Sequence, residues 1–201
     1  MNFEINLNET TSETMVDGWM SFSARGTQDG VIPAKKFFVK TPEGDKKVLT
    51  AIEKDGVVFD IYNMKHGWQQ FADGRSNWQF NENLTVWQAR PGDDWSKGIS
   101  IPISVNNDKL VIWRQSGVST MEGIQTLTSK IGGQAVGKLP LVKMIDTKPL
   151  KFKSGTSTPV PVFDILDWVE RPFILEAKQD ENAPPQPAQT ETVELPANSE
   201  F

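Results

Sequence analysis

The stretch Ile99-Ser100-Ile101-Pro102-Ile103-Ser104-Val105-Asn106 decides the fold. Its apolar residues recur at every second position, the period of a strand with one buried face. Pro102 has no amide to give to a ladder, which places this strand at a sheet edge. Asn106-Asn107-Asp108 supplies turn residues, and 109–115, rich in Leu, Val, Ile and Trp, reads as the return.

Working outward, 31–40 reads as a strand closed by the turn Pro42-Glu43-Gly44-Asp45. The segments 48–53 and 57–63 flank Asp55-Gly56 and read as a hairpin. Residues 77–89 hold one or two short strands, and Pro91-Gly92-Asp93-Asp94 is a turn. One helix stands out after the central strands. Ser119-Thr120-Met121-Glu122 fits a capping box. Met121, Ile124, Leu127, Thr128 and Ile131 share a face at helical spacing, and Gly132-Gly133 stops the run. Apolar segments follow at 139–145, 149–153 and 160–169, with a turn at Ser154-Gly155-Thr156. Many strands, one helix and turns every 8–12 residues predict a mainly β fold. The expected architecture is an OB-like Greek-key barrel with one helix packed on it over 119–131.

Composition narrows the chemistry. The chain has 201 residues, no cysteine and one histidine, His66, which excludes a disulfide scaffold, a Cys nucleophile and a Cys/His zinc site. No stretch reaches the ~20 apolar residues of a membrane span. The first residues lack the regions of a signal peptide, so a cytoplasmic protein is expected. Charge is unevenly placed. Glu176, Asp180, Glu181, Glu191, Glu194 and Glu200 against Lys178 give 176–201 the whole net charge of −5, while the body before it balances. With Pro184, Pro185, Pro187 and Pro196 and few large apolar residues, 176–201 reads as a disordered acidic tail. Residues 1–16 read as a flexible arm, and 17–175 as the folded domain.

No motif supports an enzyme or a cofactor. There is no phosphate-cradling glycine loop. His66 has no metal-binding neighbour, and Asp93-Asp94 sits in a solvated turn. Asp164 and Asp167 are three apart on a strand, which points them to opposite sides and weakens an acid/base or metal pair.

Aromatic and basic residues remain. Trp68, Phe71, Trp78, Phe80, Trp87 and Trp95 fall close together, interleaved with Arg75, Arg90 and Lys97. Lys35-Lys36-Phe37-Phe38, Trp113-Arg114 and Lys151-Phe152-Lys153 repeat the pattern. A single strand of nucleic acid needs flat rings for its bases and cations for its phosphates. The expected DNA-binding set is Lys35, Lys36, Lys65, Trp68, Arg75, Trp78, Trp87, Trp95, Arg114, Lys143, Lys151, Phe152 and Lys153. Against this, most Trp residues in such a domain belong to the core, Trp113 and Trp168 first among the seven. In the tail, Glu200 and Phe201 could be offered to a basic, apolar pocket on a replication or recombination partner.

The segments around Gly67-Trp68 and Trp78-Gln79-Phe80, then Leu139-Pro140-Leu141-Val142-Lys143, and Pro159-Val160-Pro161-Val162-Phe163-Asp164-Ile165-Leu166-Asp167-Trp168-Val169, resemble small bacteriophage proteins of replication gene clusters. That resemblance, over about residues 60–170, implies a phage single-stranded DNA-binding protein of the OB type. Its motifs are short and structural, so it assigns no binding residue. The competing readings are a protein-interaction module, such as a phage inhibitor of a host enzyme or a virion component, a carbohydrate-binding β-domain, and, more distantly, a metal-dependent nuclease on Asp164 and Asp167.

Overall fold

The computed structural model describes residues 16–73, 75–132 and 137–176. The arm expected over 1–16 and the tail over 176–201, with Glu200 and Phe201, lie outside them apart from Val16 and Glu176.

The chain forms one ten-stranded sheet. Its strands in chain order are β1 (Gly18–Ser23), β2 (Lys36–Lys40), β3 (Lys46–Val48), β4 (Val57–Phe59), β5 (Lys65–Ala72), β6 (Arg75–Phe80), β7 (Ser96–Val105), β8 (Lys109–Ser116), β9 (Leu139–Lys151) and β10 (Ser157–Val169). The helices are α1 (Ala51–Lys54), α2 (Val118–Ile131) and α3 (Phe173–Glu176). The spatial order is β10-β9-β4-β7-β8-β1-β2-β3, with β6 attached through β5 to β7. The sheet curls into a half-barrel, and among the described residues its end strands β10 and β3 do not pair with each other, so the mainly β fold expected above is an open sheet.

The alternating strand is central, not at an edge. β8 lines one side of β7, while β5 takes the start of the other side and β4 its end. Pro102 sits where these two neighbours change over. The Asp60 amide donates to the Pro102 carbonyl at 2.9 Å, and the Asp60 carbonyl turns away to accept from Asn63. No carbonyl therefore waits for the amide that proline lacks. The prolines of the long hairpin obey the same rule. The Pro159 carbonyl accepts from the Ser119 hydroxyl on α2, so Pro159 directs its backbone away from β9. Pro149 is its cross-strand partner in a pair that exchanges no ladder bond, and 139–151 runs as one strand instead of two.

Two local expectations are corrected. Asp55-Gly56 does not join a hairpin: β3 pairs with β2, and β4 with β7 and β9. The segment between them is α1, which buries Ile52 completely. Gly56, at φ 82°, gives its amide to the Ala51 carbonyl at 2.9 Å, so the dipeptide that marks hairpins here closes a helical turn. The helix at 119–131 is present as α2, but Gly117 is its N-cap and no side chain caps it. Ser119 is drawn to Pro159, and Glu122 to the Lys148 ammonium at 3.3 Å.

One face of the sheet holds the main core. Phe22, Phe37, Phe59, Trp113 and Phe163 pack with ring centroids 5.1–6.0 Å apart. Ile124, Leu127 and Ile131 of α2 join this cluster. A smaller cluster on the opposite face joins Val58, Leu110, Ile112 and Leu139 to Leu175 of α3. Arg171 holds the segment entering α3 by a two-pronged bond to buried Asp60, at 2.5 and 2.9 Å. Asn63 adds an amide bond to the same carboxylate at 2.8 Å.

Candidate functional site

α3 is one helical turn long, so it covers only part of the outer face. Where β5, β7 and β8 lie side by side, the outward positions are Lys65 and Gly67, Gly98 and Ser100, and Arg114 and Ser116. The two glycines leave this stretch of sheet low. A Cβ on Gly98 would lie 2.8 Å from the Trp78 ring, and one on Gly67 2.1 Å from the Gln79 carbonyl. The absence of both side chains lets β6 fold close and Trp78 lie across the sheet.

Trp78 stacks on Phe80 with centroids 5.4 Å apart and planes at 15°. The Arg114 guanidinium stands 6.0 Å from the Trp78 ring and 5.6 Å from Phe80. Its Nε donates to the Ser100 hydroxyl at 3.3 Å. Partial burial among these groups draws its pKa below the ordinary arginine value, and it remains a cation at any physiological pH. Lys65 is cross-strand from Ser100, which is cross-strand from Arg114, so one row runs over three strands. Beyond β8 the same face carries Trp19 beside Ile112, with Lys40 opposite Trp19, and Phe38 opposite Ser21. Trp19 is 39% exposed. Among the described residues no carboxylate pairs with Lys40, Lys65 or Arg114.

The structure thus gathers Lys65, Trp78 and Arg114 from the expected set and separates the rest. Trp68 pairs across from Gln79, one position out of step with Trp78, and so faces the other way. It is only 8% exposed, and its Nε1 donates to the Gln88 carbonyl at 3.1 Å. Trp87 is half-buried on Trp68 and His66, with the Lys97 ammonium 4.3 Å from its ring. These two indoles fasten the 81–95 segment and do not stand free for stacking, which corrects their expected place. Trp95 is half-buried and lines a cleft of about 450 Å³ with Trp68, Arg90, Lys97 and the first turns of α2. Arg90 is held by the backbone of its own loop, through Trp95 and Asp93.

Other expected residues lie apart. Lys36 is paired with Glu53 at 2.6 Å, and Lys35 is an exposed residue at φ 61° before β2. Arg75 is exposed at the start of β6 on the face away from Trp78, and Lys143 is half-buried opposite Asp164. Lys151, Phe152 and Lys153 form the exposed tip of the β9–β10 hairpin. Trp113 is fully buried, as expected for a core residue, and Trp168 packs half-buried against the same core. His66 is buried, with Nδ1 2.7 Å from the Asn81 amide nitrogen. Asp164 is bound to Lys130 at 3.1 Å. No group of three His, Cys, Asp or Glu able to hold a metal occurs among the described residues.

Trp19, Phe38, Lys40 and Phe80 belong to the outer face and were not in the expected binding set. Gly18-Trp19-Met20-Ser21-Phe22 alternates as a strand does, with Met20 and Phe22 inward and Trp19 outward, so that signal was available. The chain matches no protein-family model, and no curated protein or solved structure is significantly similar to it.

Proposed function

We propose that this protein binds single-stranded DNA, without sequence preference and without catalysis, on the uncovered part of the outer sheet face. The observation that carries the reading is the Phe80–Trp78–Arg114 stack, with Lys65 in the same cross-strand row as Arg114 and with Trp19 and Lys40 on the next two strands. Rings that already share a plane direction offer bases a preorganised surface, each stacked base being worth roughly 1–3 kcal/mol. Among the described residues Lys40, Lys65 and Arg114 have no carboxylate to release before they meet phosphates. An OB-like kinship belongs to the same proposal: an open, curved β face is the surface such folds use for oligonucleotides, although this sheet has ten strands and one parallel pair, β1 with β8. The phage replication setting, and recruitment of partner proteins through Glu200 and Phe201, are part of the proposal too and rest on the sequence.

A protein interface on the same side is the second reading. Its observation is Phe173 of α3, 82% exposed beside the uncovered face. Titration with oligo(dT) separates the two. DNA binding predicts quenching of Trp emission and an affinity that falls with salt, with a log–log slope near −2 for three phosphate contacts. Unchanged emission at low salt with micromolar oligonucleotide refutes the DNA reading and leaves the protein interface.

A further inference from the structure

The arm formed by β5 and β6 reaches past the rest of the sheet. β5 pairs with β7 only as far as Gln69 opposite Ser96, and the rungs Gln70–Asn77, Phe71–Ser76 and Ala72–Arg75 continue with no third strand among the described residues. Side chains alternate along this arm as along any strand. Gly67, Gln69 and Phe71 stand opposite Phe80, Trp78 and Ser76, so Phe71 lies on the same face as the Trp78–Phe80 stack.

Phe71 is 74% exposed. A single exposed apolar ring is ordinary, and exposure by itself points to no ligand. The setting of this one does. The residue opposite is the small Ser76, whose hydroxyl accepts from Gln69, so the floor between Phe71 and Trp78 is polar. The rows of Phe71 and Phe80 are separated by about 13 Å along the strand. The back of the arm is tied down: Gln70 donates to the Asp94 carboxylate, and Asn77 to Gln70 at 3.2 Å. The arm thus holds Phe71 in position while the ring stays uncovered, which lowers the ordering cost of binding. Neither β5 nor β6 contains an Asp or Glu. Lys65 stands at the root of the arm and Arg75 at its tip, and Asp73, in the turn past Phe71, is the first acid.

We infer that Phe71 is the outermost stacking position of the nucleic-acid site, and that the bound strand runs along the β5–β6 arm. One base lies on Phe71, others meet the Trp78–Phe80 stack, and sugar and phosphate cross the Gln69–Ser76 floor between them. The inference rests on the DNA reading of the outer face and fixes the path of the strand there. The alternation of ring, polar floor and ring selects that occupant, because a single strand alternates flat bases with polar, anionic links. Two acid-free strands with a cation at each end of the arm suit the same polyanion.

Titration of the full chain with oligo(dT) of about 20 nucleotides tests the path. Phe71→Ala should weaken binding about tenfold and leave the salt slope unchanged, because a ring is lost and no phosphate contact. Its unfolding curve should match that of the wild type, since the ring covers nothing. Phe71→Trp should keep the affinity and deepen the quenching of Trp emission, which reads the position directly even if the alanine variant misfolds. Wild-type binding that Phe71→Ala leaves unchanged, or a Phe71→Trp protein whose added indole is not quenched, overturns the inference and leaves DNA on the sheet face. Absence of binding by the wild type overturns the DNA reading and this inference with it.

Discussion

β7 and β8 present two different chemistries from the same short stretch of backbone. Ile99, Ile101 and Trp113 point inward, where Phe37, Phe59 and Phe163 meet the Trp113 ring edge-on and α2 covers the cluster. Gly98, Ser100 and Arg114 point outward, where among the described residues Trp78 and Phe80 provide the cover. Both faces contain indoles and phenyl rings, so ring content does not tell a core from a platform. What does is whether a second layer crosses above. α2 spans fourteen residues over the inner face, while α3 spans four over the outer one.

The sharpest way to break this comparison is to truncate the two tryptophans. Trp113→Ala should cost about 3–5 kcal/mol of folding free energy, measured by urea denaturation, since it empties the centre of the core. Trp78→Ala should cost much less stability and instead weaken oligo(dT) binding by about 1–3 kcal/mol. If both variants lose stability equally, the outer face is a second core.

Next in size is the tie that ends the outer cover. Asp60→Ala leaves the Arg171 guanidinium half-buried without its partner and should cost about 3 kcal/mol or more. A loss near that of an exposed pair would show that the segment entering α3 is held by Leu175 alone. Smaller again, Lys65→Gln should reduce the magnitude of the salt slope of DNA binding by about 0.7 and leave unfolding unchanged. An equal change from Lys151→Gln would extend the contact surface to the β9–β10 tip.

The smallest expected effect concerns acid. The Lys46 ammonium first, then the Thr27 hydroxyl and the Val31 amide, hold the exposed Asp29 carboxyl well below its ordinary value of 3.8. A depressed pKa stabilises the fold fully above that ordinary value and is lost as the pH falls beneath it. Asp29→Asn should therefore lower stability slightly at neutral pH and flatten its fall below about pH 4.

Much of this architecture is legible in the chain because it is local. The period-two run of β7, the Asn106-Asn107 turn with both residues at positive φ, and the apolar face of α2 are each set by neighbouring residues. Pro102 misleads because its tolerance depends on which strand stands opposite, and that partner comes from forty residues away. Asp55-Gly56 misleads because a glycine at positive φ serves a helix end as well as a hairpin. The candidate site was half legible. Residue types point to Trp68, Trp78 and Trp87 together, but strand parity sets Trp68 and Trp78 on opposite faces, and Trp87 packs with Trp68. The register that divides them is that of β5 against β6, from Ala72 opposite Arg75 to Gly67 opposite Phe80. Trp19 and Lys40 join the face only through the parallel β1–β8 pairing, which no short motif encodes.

Photocrosslinking of oligo(dT) to the full-length protein, followed by peptide mapping, bears most directly on where nucleic acid lies. The account predicts adducts on peptides carrying Trp78, Phe80 and Trp19. Adducts confined to Trp95 and the cleft against α2, or to Phe152 at the hairpin tip, would contradict it.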